Sequence, residues 1–258
     1  MTAEFEGPRT AIVTGAAKRI GAEIGRALAA DGWSVLVHYR SSQAEAEALA
    51  REIGGRTVAA DLADPGAAAT IMAALDGVPP PRLLVNSASR FVHDEARDFS
   101  LKGWDAHQAI NLRAPALLSQ AFAERAGEGL IVNLLDAKLA QPNPDFFSYT
   151  VSKMGLAGLT ELTARAFAPR IRVCGIAPSV TLVSGPQSRD NFDQVHALNA
   201  LRRGVRVEEI VAALRFIIAT PTLTGQTITL DGGQRFLGLA RDVQFLSASA
   251  DAQFLEPS

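Results

Sequence analysis

The chain has 258 residues, 48% of them hydrophobic and 20% charged, with a formal net charge of -2. That length suffices for a large α/β core, and the near-neutral balance excludes an electrostatic footprint for nucleic acid or anionic membrane. A single cysteine, Cys174, excludes an internal disulfide or a thiolate centre, and the four histidines stand at no metal-ligand spacing, so no metal is expected.

Residues 1–9 are polar and carry no apolar run of signal-peptide length, and no stretch reaches the length of a membrane span, so a cytoplasmic protein is expected. Thr10 to Thr14 reads as a short buried strand running into Gly15. An apolar-periodic helix follows over about Ile20 to Ala30 and stops at Asp31-Gly32. Ser34 to Tyr39 is the second strand, and Gln43 to Ile53 an alanine- and glutamate-rich helix ended by Gly54-Gly55. Thr57 to Ala60 is the third strand, with a helix starting near Pro65. Arg82 to Asn86 is the fourth, followed by a long helix over about Lys102 to Ala126 with a kink expected at Pro115. Leu130 to Leu135 is the fifth strand. The next helix carries Tyr149 and Lys153, runs to Ala168 and stops before Pro169. Ile171 to Ile176 is the sixth strand and Gln226 to Leu230 the seventh, before Asp231-Gly-Gly233.

Strands alternating with helices predict right-handed βαβ units and a parallel sheet, and the uninterrupted apolar strands agree, because such strands are buried on both faces. The expected fold is α/β: one doubly wound Rossmann domain over residues 1–258, a seven-stranded parallel sheet with helices on both faces. Residues 180–204 read as a polar loop that closes over substrate, and residues 241–258 as a tail.

Tyr149 and Lys153 lie four residues apart, on one face of their helix. An ammonium beside a phenol favours the phenolate, which makes the tyrosine a candidate general acid. Spacing alone fits a half-exposed helix pair equally well. The turn Thr14-Gly-Ala-Ala-Lys-Arg-Ile-Gly21 is a glycine turn feeding a helix N-terminus, which suits phosphate. It meets the three-glycine dinucleotide fingerprint only in part, because Arg19 stands where a glycine is expected. The second strand ends His38-Tyr39-Arg40-Ser41-Ser42 without the acid that would bind a ribose 2′-hydroxyl. Arg19 and Arg40 could instead clamp a 2′-phosphate, which predicts NADPH over NADH. A solvated loop cation is the plain alternative for Arg40.

These residues together resemble the short-chain dehydrogenase/reductase family over nearly the whole chain. The landmarks are the Thr14–Gly21 turn, Asp61-Leu62, Asn86-Ser87-Ala88, Asn111, Tyr149 with Lys153, and Ile176-Ala-Pro178. The resemblance implies that Tyr149 is the catalytic acid, that Lys153 holds the nicotinamide ribose and lowers the Tyr149 pKa, and that Asn111 anchors a water relay. It implies an NADP(H) site built from Gly15, Lys18, Arg19, Ile20 and Gly21, from His38, Tyr39, Arg40 and Ser41, from Asp61 and Leu62, and from Asn86, Ser87, Ala88 and Ser89. Tyr149, Lys153, Pro178, Ser179 and Val180 complete that site. The chain departs from the family where most members carry a serine about 13 residues before the tyrosine, for here the position is Asp136. A carboxylate would repel a developing alkoxide but suits a substrate with N–H donors or a ring nitrogen needing a proton.

That departure is similar to the pteridine reductases and the bacterial dihydromonapterin reductases. Arg19 in the turn, His38-Tyr-Arg-Ser41, and Asn86-Ser-Ala-Ser-Arg-Phe91 agree with the same subgroup. The resemblance implies a catalytic set of Asp136, Tyr149, Lys153 and Asn111, and a substrate site of Ser89, Phe91, Asp136 and Tyr149, with Phe91 stacked on a pterin ring. The plain alternatives are a hydrophobic loop anchor for Phe91 and a structural N-cap for Asp136. The expected activity is NADPH-dependent reduction of a dihydropterin, with dihydrofolate as a further candidate substrate. A carbonyl reductase acting on a 3-oxoacyl thioester or another ketone, and a non-catalytic NADP(H)-binding regulator, stay open as alternatives. The resemblance also implies a homotetramer, and Phe245, Leu246, Phe254 and Leu255 of the tail could dock on a neighbouring subunit; a disordered tail is the alternative.

Overall fold

The computed structural model describes Phe5, residues 7–184 and residues 187–246. Seven strands form one sheet: β1 (Thr10–Val13), β2 (Ser34–Tyr39), β3 (Arg56–Ala59), β4 (Pro81–Asn86), β5 (Gly129–Leu134), β6 (Ile171–Pro178) and β7 (Thr227–Leu230). Every adjacent pair is parallel, and the order is β3-β2-β1-β4-β5-β6-β7. The helices are α1 (Arg19–Ala30), α2 (Gln43–Ile53), α3 (Ala67–Ala73), α4 (Leu101–Gln108), α5 (Ala114–Ala126), α6 (Phe147–Phe167), α7 (Arg189–Val195) and α8 (Val207–Ile218).

The period of two along each strand sorts the core into two layers. Val13, Val37 and Val85 meet Ile24, Leu28, Leu49, Ile210 and Leu214 of α1, α2 and α8. Ile12, Leu84 and Ile131 point the other way, to Ile71, Leu118 and Phe122 of α3 and α5. In register, Ile12 lies between Leu36 and Leu84. Each fully buried side chain of this size contributes roughly 1.5–3 kcal/mol, and the helix layers on both faces exist because both faces are apolar. The chain leaves β1 for β2 on one side and returns to β4 on the other. This reversal opens a crevice at the carboxyl ends of β1 and β4.

The long helix departs from expectation. Instead of a kink at Pro115, a π turn over Ala109–Arg113 joins α4 to α5, closed by the Ala114 N–H on the Ala109 carbonyl. Pro115 has no N–H to give the Asn111 carbonyl four residues back. The mismatch is absorbed just before it, leaving Pro115 in the first turn of α5 where proline is tolerated.

Two helices have no counterpart among the expected elements. α8 begins after Arg206, whose N–H donates to Glu209 Oε2 at 2.8 Å. No Ser, Thr, Asp or Asn marks that start, although its buried Ile210, Leu214 and Ile217 keep helical spacing. α7 lies inside the expected loop 180–204, capped by Ser188, whose Oγ accepts from the Asn191 N–H. Of the tail, residues 241–246 are described. Val243 is buried with Val195, Leu198 and Leu239, and Leu246 packs on the same cluster of its own chain. Phe245 stacks on Phe146, and Phe254 and Leu255 lie outside the described residues. Among those residues no helix is long and apolar enough to cross a membrane.

Candidate active site

A cleft of about 620 Å³ opens at the carboxyl ends of the central strands. Its floor is the β1–α1 turn. Gly15 sits at φ 65, and a Cβ there would stand 2.9 Å from Ala88 Cα. A Cβ at Gly21 would run into the Gly15 carbonyl oxygen. Only glycine fits at either point, so the backbone can approach a ligand closely. Thr14 Oγ1 accepts from the Ser87 and Ala88 N–H groups, each at 3.0 Å, and ties this turn to the end of β4. Lys18, the N-cap of α1, makes no side-chain cap, and its ammonium pairs with Glu45 at 2.6 Å. The first N–H groups of α1 therefore carry no side-chain partner, the arrangement that binds phosphate. The donor set fits the phosphates of a dinucleotide.

Arg19 occupies the left-handed region, φ 57, at the position where the fingerprint has glycine. For a residue with a side chain that conformation costs roughly 1–2 kcal/mol. Its guanidinium does not meet Arg40. It donates to the Val183 carbonyl at 2.6 Å and to Ser184 Oγ at 3.0 Å, while Arg40 and Ser41 are exposed beyond β2. In this structure the segment after β6 holds Arg19. Ile20 lines the cleft, whereas Tyr39 is half-buried against the core. Asp61 Oδ1 accepts from the Ala63 N–H, and Leu62 is buried in the second core layer. Asn86 is buried and donates to Asn133 Oδ1 at 2.8 Å.

His38 is a latch inside this end of the molecule. Gly15 N–H donates to His38 Nδ1 at 3.1 Å, so the proton sits on Nε2, 3.1 Å from the Ala60 carbonyl. Burial pushes the imidazole below its usual 6.5, against the pull of the Ala60 hydrogen bond. A lowered folded-state pKa means the unfolded chain binds more protons, so this contribution is full above pH about 6.5 and is lost as pH falls below it. His38→Gln is expected to remove that part of the acid destabilisation; melting curves of both proteins across that range measure it.

The end facing β5 and α6 holds the reactive groups. Asp136 follows β5, and its Oδ1 accepts from the Lys138 N–H at 2.8 Å, capping a short 3-10 turn. Its Oδ2 accepts from the Tyr149 hydroxyl at 2.6 Å. The N-cap role and the facing of Tyr149 thus coexist on one carboxyl. Lys153 is 3% exposed and donates from Nζ to the Leu134 carbonyl at 2.6 Å. That nitrogen stands 5.7 Å from the Tyr149 ring centre. Asp94 starts α6 in trans, its carbonyl accepting from the Phe147 N–H and its Oδ1 from the Ser148 N–H.

The electrostatics correct one expectation. Burial, and then the Asp136 carboxylate, hold the Tyr149 phenol well above its usual range rather than below it. Burial raises the Asp136 carboxyl despite hydrogen bonds from Tyr149 and Lys138 and the nearby Lys153 charge. Burial brings the Lys153 ammonium down to about 8. The expected lysine effect on the phenol loses to the carboxylate because Asp136 touches the hydroxyl and Lys153 does not. The pair titrates jointly and holds its protons tightly.

Asn111, also expected in the catalytic set, spends its side chain on structure. Its Oδ1 accepts from the Arg90 N–H at 2.7 Å and from Ser89 Oγ at 3.3 Å. Its Nδ2 donates to the Arg90 carbonyl and to Ser152 Oγ, both at 2.9 Å. Any relay at this residue therefore falls to its main chain, where Pro115 offers no hydrogen bond. Ser89 and Phe91 line the cleft. Phe91 stacks on Phe146 at 4.1 Å and meets the Tyr149 ring edge-on at 4.7 Å. Pro178, Ser179 and Val180 close the far wall. Four residues unmarked in the sequence crowd the same end: Lys138, Asp145, Arg241 and Asp242. Arg241 and Asp145 are 96 residues apart, and no local pattern links them.

Fold and site together define an oxidoreductase of the doubly wound, dinucleotide-binding class. A family model described as enoyl-(acyl carrier protein) reductase matches residues 15–235. The chain belongs to the short-chain dehydrogenase/reductase family. It is 34% identical to D-threitol dehydrogenase of Mycolicibacterium smegmatis, over 87% of this chain and 92% of that one. It is 30% identical to pteridine reductase 1 of Leishmania tarentolae, over 86% and 95%. Among solved structures it is similar to FolM alternative dihydrofolate reductase 1 of Brucella suis in complex with NADP, with 37% identity, TM-score 0.84, and coverage of 92% of this chain and 97% of that one.

Proposed function

We propose that this chain is an NADPH-dependent reductase of a dihydropterin, adding a hydride to carbon and a proton to nitrogen across one C=N bond. The observation that carries the reading is the 2.6 Å contact between the Tyr149 hydroxyl and Asp136 Oδ2. A ketone becomes an alkoxide, which a neighbouring carboxylate opposes; a ring nitrogen becomes an amine, which needs only a proton. The similarity to pteridine reductase 1 and to the alternative dihydrofolate reductase, the latter complexed with NADP, supports the same reading.

NADPH supplies the hydride when bound. The turn from Gly15 to Gly21 would hold its phosphates, Arg19 and Arg40 would be the cations available for a 2′-phosphate, and Lys153 would serve the nicotinamide ribose. Ser89 and Phe91 border the pterin. Tyr149 passes its hydroxyl proton to the substrate nitrogen and recovers one from solvent by way of Asp136, whose carboxyl accepts from that hydroxyl and is raised above its usual range by burial. Activity is therefore expected to fall as pH rises through the titration of the pair. The protein acts in the cytoplasm, and the exposed Met154 and Leu162 on the outer face of α6 suit packing between copies in a homotetramer.

Product analysis tests the chemistry. With NADPH deuterated at the transferable position, the reading expects one deuterium on a ring carbon of tetrahydropterin and a solvent proton on the adjacent nitrogen. Unchanged dihydropterin beside a reduced 3-oxoacyl thioester would point to the carbonyl reductase instead.

A further inference from the structure

The catalytic end of the cleft is walled in part by a segment that begins after β7. Arg241, Asp242, Val243 and Gln244 all line it. The segment is anchored three ways. Leu239 and Val243 are buried against Val195 and Leu198. Arg241 clamps Asp145 through Nε, at 2.9 and 2.8 Å from the two carboxylate oxygens, and through Nη2 at 2.7 Å. Phe245 stacks on Phe146 and meets His93 edge-on.

Each anchor leads to the reactive pair. Asp145 is 2% exposed and lies just before α6; its carboxylate also accepts from the Asp242 N–H at 2.6 Å. Burial alone would raise that carboxyl, but Arg241 and the Asp242 N–H hold it below its usual range, so it stays charged for the clamp. Lys138 Nζ donates to the Asp145 carbonyl at 2.6 Å and meets Asp242 Oδ2 at 3.3 Å, while the N–H of the same Lys138 donates to Asp136 Oδ1. Phe146 takes the left-handed conformation, φ 55, between the stacked rings of Phe91 and Phe245. Phe91 in turn packs on Tyr149. The strap thus touches Asp136 through Lys138, and Tyr149 through Asp145, Phe146 and Phe91.

We propose that residues 239–246 form a strap that completes the active site within one chain, with Arg241 and Asp242 as positioning residues that hold Asp136 and Tyr149 in register for proton transfer. The groups facing Asp136 are Tyr149 and Lys153 from α6, Lys138 from its own turn, and Asp242 from the strap. Asp242 is the only carboxylate among these. Its charge raises both members of the pair and helps them keep their protons. Removing that charge, or freeing the strap and letting water in, moves Asp136 toward ordinary acidity.

The test uses the full chain with Asp242→Asn, Arg241→Ala and Arg241→Lys. With carboxyl-labelled aspartate, the Asp136 carbon signal is assigned by its loss in Asp136→Asn and followed against pH. Its titration is expected to move to lower pH in Asp242→Asn and Arg241→Ala, and less in Arg241→Lys. The second readout rests on the pterin reading. There kcat is expected to fall on the order of tenfold, as for loss of one charge-assisted hydrogen bond, with NADPH affinity unchanged. Asp242→Asn preserves shape and carries the test if Arg241→Ala does not fold. An unmoved Asp136 titration overturns the strap, as does an unchanged kcat in an enzyme that reduces pterin. A moved titration in a protein inactive on pterins keeps the strap and removes the pterin reading.

Discussion

Tyr149→Phe is expected to lower kcat for a dihydropterin by roughly 10²–10⁴-fold, the usual range for a lost general acid, with NADPH affinity near that of the parent. The substitution deletes one oxygen and keeps the ring that packs edge-on against Phe91. The fold should therefore stand, and the loss should appear in single-turnover rates rather than in KM. Asp136 Oδ2 would lose its donor in a buried site, so its carboxyl would rise further. That carboxyl can still relay a proton through water, which sets a floor under the residual rate. Activity within tenfold of the parent would show that the hydroxyl only positions Asp136.

Asp136→Ala should cost dihydropterin turnover a similar roughly 10²–10⁴-fold, again without loss of NADPH binding. Two effects separate in the variants. Oδ1 caps the 3-10 turn at the Lys138 N–H, a contact worth about 1 kcal/mol of stability, which Ala loses and Asn or Ser can replace. Oδ2 faces Tyr149, and its charge helps to hold the phenol well above its usual range. Asp136→Ser removes that charge and offers a hydroxyl donor, so the phenol becomes more acidic and an alkoxide better tolerated. The serine variant is expected to lose pterin activity and to gain reduction of an acetoacetyl thioester, measured as kcat/KM on both substrates. Lost NADPH affinity in Asp136→Ala would remove this residue from the chemistry and make it a strut of the cleft.

The sheet was readable from the chain because its strands are apolar on both sides and end in glycine or polar turns. β2 and α2 fall where the pattern places them, α2 stopping at Gly54 with φ 66. α8 is hard to read from the chain because Arg206 heads it, so the usual Ser, Thr, Asp or Asn cap is missing although the apolar spacing is present. The floor of the site was legible because Gly15, Gly21 and the end of β4 are adjacent in any chain that crosses over at this point. The Tyr149–Lys153 spacing was equally visible, yet burial and a carboxylate outweigh the lysine at the phenol. What raises the phenol is burial and then Asp136, which lies across a turn rather than along a helix. The strap could not be read at all, since Asp242 meets Lys138 across 104 residues and only the folded chain brings them together.

The most direct measurement is NADPH consumption by the purified protein with a reduced pterin, run beside an acetoacetyl thioester and beside NADH in place of NADPH. The pair at Asp136 and the arginines at 19 and 40 predict fast turnover with pterin and NADPH, and little with either replacement. Fast turnover of the thioester with no pterin activity would contradict the role given to Asp136 and return the chain to the ketone chemistry of its family.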